Sequence, residues 1–137
     1  MNDFAELTAF ANHYAEAWCS QNPESVAAFF AENGSLSVND ETPAIGRAAI
    51  AETARGFMRA FPDMIVTFDS LEPAANAFAF HWTLTGSNTG PDGVGKKVRI
   101  SGHELWTIDQ DGLIAESKGH FDSAEYERQL EHGADEP

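Results

Sequence analysis

The stretch VRISGHELWTIDQDGLIAESKGHFD, residues 98–122, predicts a β-hairpin and decides the fold of the chain. Apolar side chains alternate along its first half, as they do in a strand with one buried face. These alternating residues are Val98, Ile100, Trp106 and Ile108. The segment Asp109–Gly112 that follows is polar and ends in glycine, which is typical of a tight turn between two strands.

Glu104 has the same parity as these apolar residues. A carboxyl group at this position has two interpretations. Either the strand face is assigned the wrong way round, or an acid is held in an apolar cavity, where desolvation raises its pKa. The choice between them is the main functional question that the sequence poses.

The composition indicates one domain and excludes two classes of partner. A chain of 137 residues with 42% hydrophobic content is long enough for one sizeable core, so we expect a single domain over residues 1–137. The 8 basic and 22 acidic residues give a formal net charge of -14. This charge argues against binding to nucleic acid or to an anionic membrane surface, because both partners are negatively charged and bind positively charged protein surfaces.

The sequence also predicts a soluble, cytoplasmic protein. The single cysteine, Cys19, allows no internal disulfide, and the N-terminus lacks the basic flank and apolar run of a signal peptide. No apolar run approaches the roughly 20 residues needed to span a bilayer.

Apolar periodicity predicts three helices in the first half of the chain. The first begins at a capping box formed by Asp3 and Glu6 and continues to Trp18. The second covers Asn22 to about Ala31 and carries a proline at its first helical position. The third follows Gly46 and is ended by Pro62.

The strands are predicted mainly in the second half. Ser35–Val38 forms a brief early strand, whereas Met64–Leu71 and Ala77–Thr85 are followed by the hairpin that starts at Val98. A short helix follows Asp122. Helices first and strands afterwards indicate an α+β domain with an antiparallel sheet.

Two segments carry a family resemblance. The sequences AEAWCSQNPESVAAFFAENGSLS (15–37) and GLIAESKGHFDSAEYERQL (112–130), with this order of elements, resemble the nuclear transport factor 2-like superfamily. The resemblance covers nearly the whole chain and implies a cone-shaped fold, in which three N-terminal helices pack on a curved antiparallel sheet, with a short C-terminal helix. It also implies a homodimer formed through the convex face of the sheet.

Within the superfamily, the end of the chain is most similar to the SnoaL-like polyketide cyclases. The residues that carry this similarity are Gly112, Ile114, Glu116, Asp122, Gln129 and Leu130. These motifs specify the fold better than the chemistry, because the same scaffold hosts isomerases, cyclases, hydrolases, dehydratases and non-catalytic binding modules.

The first half also resembles the ketosteroid isomerases. The segment YAEAWCSQNPESVAAFFAEN aligns without a gap with the isomerase segment that begins with an oxyanion-hole tyrosine, which falls on Tyr14. The protonated carboxylic acid of the isomerases falls on Glu104. Their catalytic base falls on Val38, which cannot accept a proton. Asp40 keeps the strand parity of position 38 and is the candidate replacement.

The isomerase resemblance implies that Tyr14 and a neutral Glu104 donate hydrogen bonds to a developing oxyanion. One such donor typically contributes about 3 to 4 kcal/mol of transition-state stabilisation. The structural alternatives are that Tyr14 is a core aromatic with a locally satisfied hydroxyl, and that Glu104 is an exposed or salt-bridged strand residue.

The cyclase resemblance implies an aspartate with a nearby histidine, and the nearest match is Asp122 with His103 or His120. Asp122 also has a structural interpretation, since with Glu125 it forms a capping box for the last helix. Strand parity points His103 away from the cavity, whereas His120 shares the parity of Ile114.

We expect neither a metal nor another cofactor, because the histidines lack a close metal-ligand spacing. We expect instead a hydrophobic small-molecule ligand in an aromatic-lined cavity. The predicted lining residues are Trp18, Phe30, Phe57, Phe61, Trp82 and Trp106.

Two classes of function follow from the sequence. The first is a cofactor-independent isomerase, cyclase or lyase acting on a hydrophobic carbonyl compound. In it, Tyr14 and Glu104 polarise the carbonyl, and Asp40, His120 or Asp122 moves the proton. The second is a non-catalytic ligand-binding or dimeric interaction module of the same fold.

Overall fold

The structure, a computed structural model, describes residues 4–90 and 93–134. The helices in these ranges are α1 (Phe4–Cys19), α2 (Pro23–Ala27), α3 (Arg47–Ala60) and α4 (Ser123–His132). The strands are β1 (Phe30–Val38), β2 (Ala44–Ile45), β3 (Ile65–Ala74), β4 (Ala77–Ser87), β5 (Lys97–Ile108) and β6 (Ile114–Phe121). The predicted capping residue Asp3 lies outside the described residues.

The six strands form one curved, unclosed sheet in the order β2-β1-β6-β5-β4-β3. All neighbouring pairs are antiparallel except β1 and β6, which run parallel. The parallel pair arises because β1 is followed by α3 and by β3 at the opposite edge. The meander then returns across the sheet, and β6 comes to lie beside β1. The predicted α+β fold with N-terminal helices and a short C-terminal helix is confirmed.

The helices cover the concave face of the sheet. Helix α1 packs on β3, and α3 packs on α2 and β1. The apolar face of α1 contributes Leu7 and Trp18 to the core, while Phe80 of β4 and Trp106 of β5 stack at 4.8 Å between ring centroids. A layer of aromatic side chains therefore separates the helices from the sheet.

The predicted hairpin of residues 98–122 is formed by β5 and β6. Asp109 organises its turn, since Oδ1 accepts hydrogen bonds from the backbone N–H of Asp111 at 2.9 Å and of Leu113 at 3.0 Å. Gly112 has φ 81°, a conformation that side chains with a Cβ rarely adopt. The turn residues thus have the roles that the sequence predicts.

The boundary between α2 and β1 differs from the prediction. Helix α2 ends at Ala27, and β1 begins at Phe30, where the sequence predicts helix to about Ala31. Gly34 lies inside the strand, and a Cβ there would meet the Ile114 carbonyl oxygen at 2.8 Å. The glycine is therefore needed for the close approach of β6. The two-residue strand β2 was not predicted.

A membrane-spanning helix would need more length and more apolar character than any helix among the described residues has.

Candidate functional site

Glu104 lies on the concave face of the sheet, in the middle of three paired strands. Its β4 partner is Phe80, its β6 partner is Gly119, and only 7% of its surface is exposed. The strand face predicted from parity is therefore correct. Of the two interpretations, the structure shows the buried acid in apolar surroundings.

One oxygen of the Glu104 carboxyl accepts three hydrogen bonds. Oε1 accepts from Ser117 Oγ at 2.7 Å, from the indole N–H of Trp106 at 2.8 Å and from the Tyr14 hydroxyl at 3.0 Å. Within the described part of the chain, Oε2 has only the longer contact with the same Tyr14 hydroxyl, at 3.3 Å. Three donors directed at one oxygen stabilise negative charge there, because hydrogen bonds to an ionised acceptor are stronger than neutral ones.

Burial and hydrogen bonding act on this carboxyl in opposite directions. Burial raises the pKa of Glu104, and the bonds from Trp106, Ser117 and Tyr14 lower it by a smaller amount, so the net direction is upward. Burial, and then the charge of Glu104, raise the pKa of Tyr14 well above its ordinary value. Tyr14 is therefore a neutral phenol that donates its hydrogen to the carboxyl.

An apolar cavity of about 60 Å³ lies beside Glu104. This volume can hold a few water molecules or a compound of a few heavy atoms. Glu104 supplies a carboxyl, and Thr53 and Tyr126 supply hydroxyl groups. The other lining residues are Trp18, Leu36, Val38, Phe57, Val66, Phe80, Trp82, Leu84, Ile100, Gly119 and Phe121.

The predicted lining is only partly in place. Trp18, Phe57 and Trp82 line the cavity. Phe30, Phe61 and Trp106 are not among the lining residues, and all three are fully buried in the core. For Phe30 the physical reason is the early start of β1, which packs its ring against Tyr14 at 6.0 Å. Trp106 reaches the site only through its indole N–H, which donates to Glu104.

Tyr14 does not line the cavity either. The structure does bring Tyr14 and Glu104 together, as the isomerase resemblance implies, but Tyr14 lies behind the carboxyl rather than beside it. The arrangement is a chain in which Tyr14 donates to Glu104 and Glu104 faces the cavity. It does not present two donors to one ligand atom.

The other predicted acid–base residues are separate from this cavity. Asp40 is exposed in the turn after β1 and has φ 65°. Asp122 is exposed and caps α4, accepting a hydrogen bond from the Glu125 backbone N–H at 3.1 Å. His120 lies on the opposite face of the sheet, beside His103, with 5.2 Å between ring centroids. None of the three is among the residues that line the cavity.

A β-bulge at Ala115 explains both the position of His120 and a residue that the sequence did not predict. Ile108 pairs with Ile114 but Thr107 pairs with Glu116, so Ala115 is an extra residue in β6. Beyond it the parity reverses, and Ser117 turns inward while His120 turns outward. The sequence does contain a signal for the inward position of Ser117. Its neighbours Glu116 and Lys118 are charged and favour solvent, which places Ser117 on the opposite, inner face.

His81, His103 and His120 form a row across the outer face of β4, β5 and β6. Partial burial, and then the charges of the other two imidazoles, lower the pKa of His103. Within residues 4–90 and 93–134, no group of three or more histidine, cysteine or acidic side chains has a geometry that could hold a metal ion.

The curved six-stranded sheet, with helices on its concave face, defines a protein of the nuclear transport factor 2-like, ketosteroid isomerase-like fold. The sequence model for "SnoaL-like polyketide cyclase" matches residues 8–130. The chain therefore belongs to the SnoaL-like polyketide cyclase family. Among curated proteins, none matches the sequence.

Solved structures share the fold at low sequence identity. A hypothetical protein from Catenulispora acidiphila, in complex with trimethylamine, has a TM-score of 0.77 and 15% identity over 89% of this chain and 92% of its own. AclR, a putative hydroxylase from Streptomyces galilaeus, has a TM-score of 0.77 and 19% identity over 98% and 87%. The epoxide hydrolase/cyclase-like enzyme SalBIII, which has a role in pyran ring formation in salinomycin, has a TM-score of 0.77 and 16% identity over 91% and 97%.

Proposed function

We propose that the cavity binds a small, hydrophobic molecule and that Glu104 recognises it. The observation that supports this proposal is the state of the two carboxyl oxygens. Oε1 is occupied by donors from Tyr14, Trp106 and Ser117, whereas Oε2 has one long contact. Oε2 can accept a further hydrogen bond from a ligand in the cavity, because a carboxylate oxygen has more than one lone pair and the bond from Tyr14 is long.

The activity that fits this geometry best is cofactor-independent isomerisation or cyclisation of a hydrophobic carbonyl compound. Glu104 would accept a proton from carbon at Oε2 and return it to a second position. A carboxyl whose pKa is raised by burial is suited to this role, because a general base works best when its pKa approaches the working pH.

Tyr14, Trp106 and Ser117 would act as positioning residues in this reaction. Their hydrogen bonds hold Oε1 and stabilise the carboxylate, which leaves Oε2 directed at the ligand. This assigns Tyr14 a role through Glu104 instead of direct contact with an oxyanion. The cyclase-like description of SalBIII, which has the same fold, is consistent with ring-forming or proton-transfer chemistry in this cavity.

The second candidate is a non-catalytic ligand-binding or dimeric interaction module. Val38, which stands where the isomerases have their base, lies in the cavity wall. The cavity of about 60 Å³ is also well below the roughly 300 to 1,000 Å³ of typical ligand pockets. A homodimer formed through the outer face of the sheet belongs to this proposal, and light scattering of the purified protein would test it.

A fragment screen observed by protein NMR tests the binding function. We expect small apolar compounds with one polar atom to shift the indole N–H signals of Trp18 and Trp82, which line the cavity. Glu104→Gln should weaken the binding of these fragments. Asp40→Asn, which makes the matched change of an acid to its amide in an exposed turn, is the control. Binding that is equally strong in Glu104→Gln would contradict recognition through Glu104. For any compound that is turned over, the same pair of variants tests catalysis.

A further inference from the structure

We propose that the cavity beside Glu104 binds a small alkylammonium ion, with an ammonium N–H donating to Glu104 Oε2 and the alkyl groups packed against aromatic rings. The inference rests on the proposed function that this cavity binds a small molecule. It names a class of ligand that a hydrophobic carbonyl compound does not cover.

Glu104 has no counter-charge among the described residues. The groups bonded to the carboxyl, from Tyr14, Trp106 and Ser117, are all neutral donors. None of the ion pairs among the described residues includes Glu104. A buried carboxylate without a cation is unfavourable, so a ligand that brings a positive charge to Oε2 supplies what the protein lacks.

The cavity wall is rich in aromatic rings, which can attract a cation. The face of an aromatic ring attracts cations through its quadrupole, and this attraction is the basis of ammonium recognition by aromatic cages. Two edge-to-face pairs stand in this wall, Trp18 with Phe57 at 6.1 Å and Trp82 with Phe121 at 6.0 Å between ring centroids. Tyr126 and Phe80 also line the wall, although Phe80 stacks on Phe68 and on Trp106 and so has less ring face to offer. The wall therefore combines several aromatic rings with one carboxyl.

The size of the cavity and the charge of the protein both favour a small cation as the ligand. A cavity of about 60 Å³ matches an ion of a few heavy atoms better than it matches a polycyclic compound. Among the residues that the structure describes, the lining contains no lysine, arginine or histidine. The net charge of -14 attracts cations and repels anions. A small ammonium ion satisfies all three conditions, and a small carboxylate does not.

The proposal also agrees with the acid–base role of Glu104. A carbonyl compound that gives a proton to Glu104 meets the same ionised oxygen as an ammonium ion does. The two ligands would therefore compete for Oε2, and an alkylammonium ion would inhibit any proton-transfer reaction in this cavity.

Titration of the protein with isopropylammonium and with 2-propanol, its neutral isostere, tests the inference. Both compounds have four heavy atoms, so size and shape are matched and only the charge and the donor differ. We expect isopropylammonium to shift the Trp18 and Trp82 indole signals with an affinity at least about tenfold higher than that of 2-propanol, a difference of about 1.4 kcal/mol. Acetate, which also has four heavy atoms but carries a negative charge, should not bind.

Two variants make the result specific. Glu104→Gln should reduce isopropylammonium binding to the level of 2-propanol, and circular dichroism will report whether the variant folds. Trp82→Leu keeps an apolar wall but removes one aromatic ring. It should therefore weaken the binding of isopropylammonium more than the binding of 2-propanol. If neutral fragments bind and isopropylammonium binds no better than 2-propanol, the ammonium assignment is wrong and the proposed function stands. If no compound shifts either indole signal, both are overturned.

Discussion

The Tyr14 hydroxyl lies 3.0 Å from Glu104 Oε1, and these two residues are 90 positions apart in the chain. The phenol is fully buried and is not among the residues that line the cavity, and its hydroxyl donates to the carboxyl. Through this hydrogen bond, Tyr14 positions the Glu104 carboxyl from the side away from the cavity. The proposed function therefore depends on one carboxyl and on the donors that fix it.

Ser117→Ala should raise the pKa of Glu104 further, because it removes the 2.7 Å hydrogen bond to Oε1 and leaves burial unchanged. We also expect a loss of roughly 1 to 3 kcal/mol in the free energy of unfolding, since a buried charged acceptor loses a partner. Carbon-detected NMR of the Glu104 carboxyl and urea denaturation measure the two effects. Thr107→Ala, at an exposed position of β5, is the control. An unchanged pKa in Ser117→Ala would mean that this bond does not hold the carboxyl.

Glu104→Gln should change how stability depends on pH. Burial raises the pKa of Glu104 in the folded protein above its ordinary value of 4.5. The unfolded chain therefore releases this proton first, and the stability due to Glu104 falls as the pH rises from 4.5 through the raised value. Above that value the contribution is constant.

Glutamine does not titrate, so Glu104→Gln should lack this fall. The quantity to measure is the difference in the free energy of unfolding between the two proteins, from urea denaturation at several pH values. We expect the difference to shift in favour of the variant as the pH rises. A difference that is independent of pH would show that the carboxyl titrates normally.

Asp122→Ala should affect stability and leave ligand binding intact. The Asp122 side chain caps α4 through the Glu125 backbone N–H and lies outside the cavity. Loss of such a cap costs about 1 kcal/mol. Thermal denaturation measures this cost, and Asp122→Asn, which can still cap, is the control. If Asp122→Ala abolished binding without lowering stability, the aspartate would have the catalytic role that the cyclase resemblance implies.

His103→Gln should make the protein less sensitive to mild acid. Partial burial and the neighbouring imidazoles lower the pKa of His103 below its ordinary value of 6.5. The unfolded chain then takes up this proton at a higher pH than the folded protein, so stability falls as the pH decreases below 6.5. Unfolding measured on either side of pH 6.5 should show a smaller loss in the variant. His132→Gln, in the last turn of α4, is the control.

Strand parity was sufficient to place Glu104, because β5 is regular from Lys97 to Thr107 and alternation is maintained over that length. The turn at Asp109 and the cap at Asp122 follow from local hydrogen bonds, so they too were predictable. The partnership of Tyr14 with Glu104 came from the family resemblance, since no local pattern connects residues 90 positions apart.

Ser117 and His120 could not be placed by parity, because one extra residue at Ala115 reverses the faces of β6. Phe30 and Phe61 show a second limit. An aromatic residue can fill the core or line the cavity, and both positions favour the same residue types. Sequence patterns specify which face a side chain occupies but not how far it lies from the open end.

The most direct test of the account is a crystal structure of the protein soaked with a small fragment that binds in solution. We predict that a polar atom of the fragment lies about 3 Å from Glu104 Oε2 while Oε1 keeps its bonds to Tyr14, Trp106 and Ser117. The apolar part should contact Trp18, Phe57 or Trp82. The contradicting result is a fragment bound elsewhere, while a protein group bonds to Oε2 and Trp82 fills the cavity. That result would show that Glu104 does not recognise a small ligand.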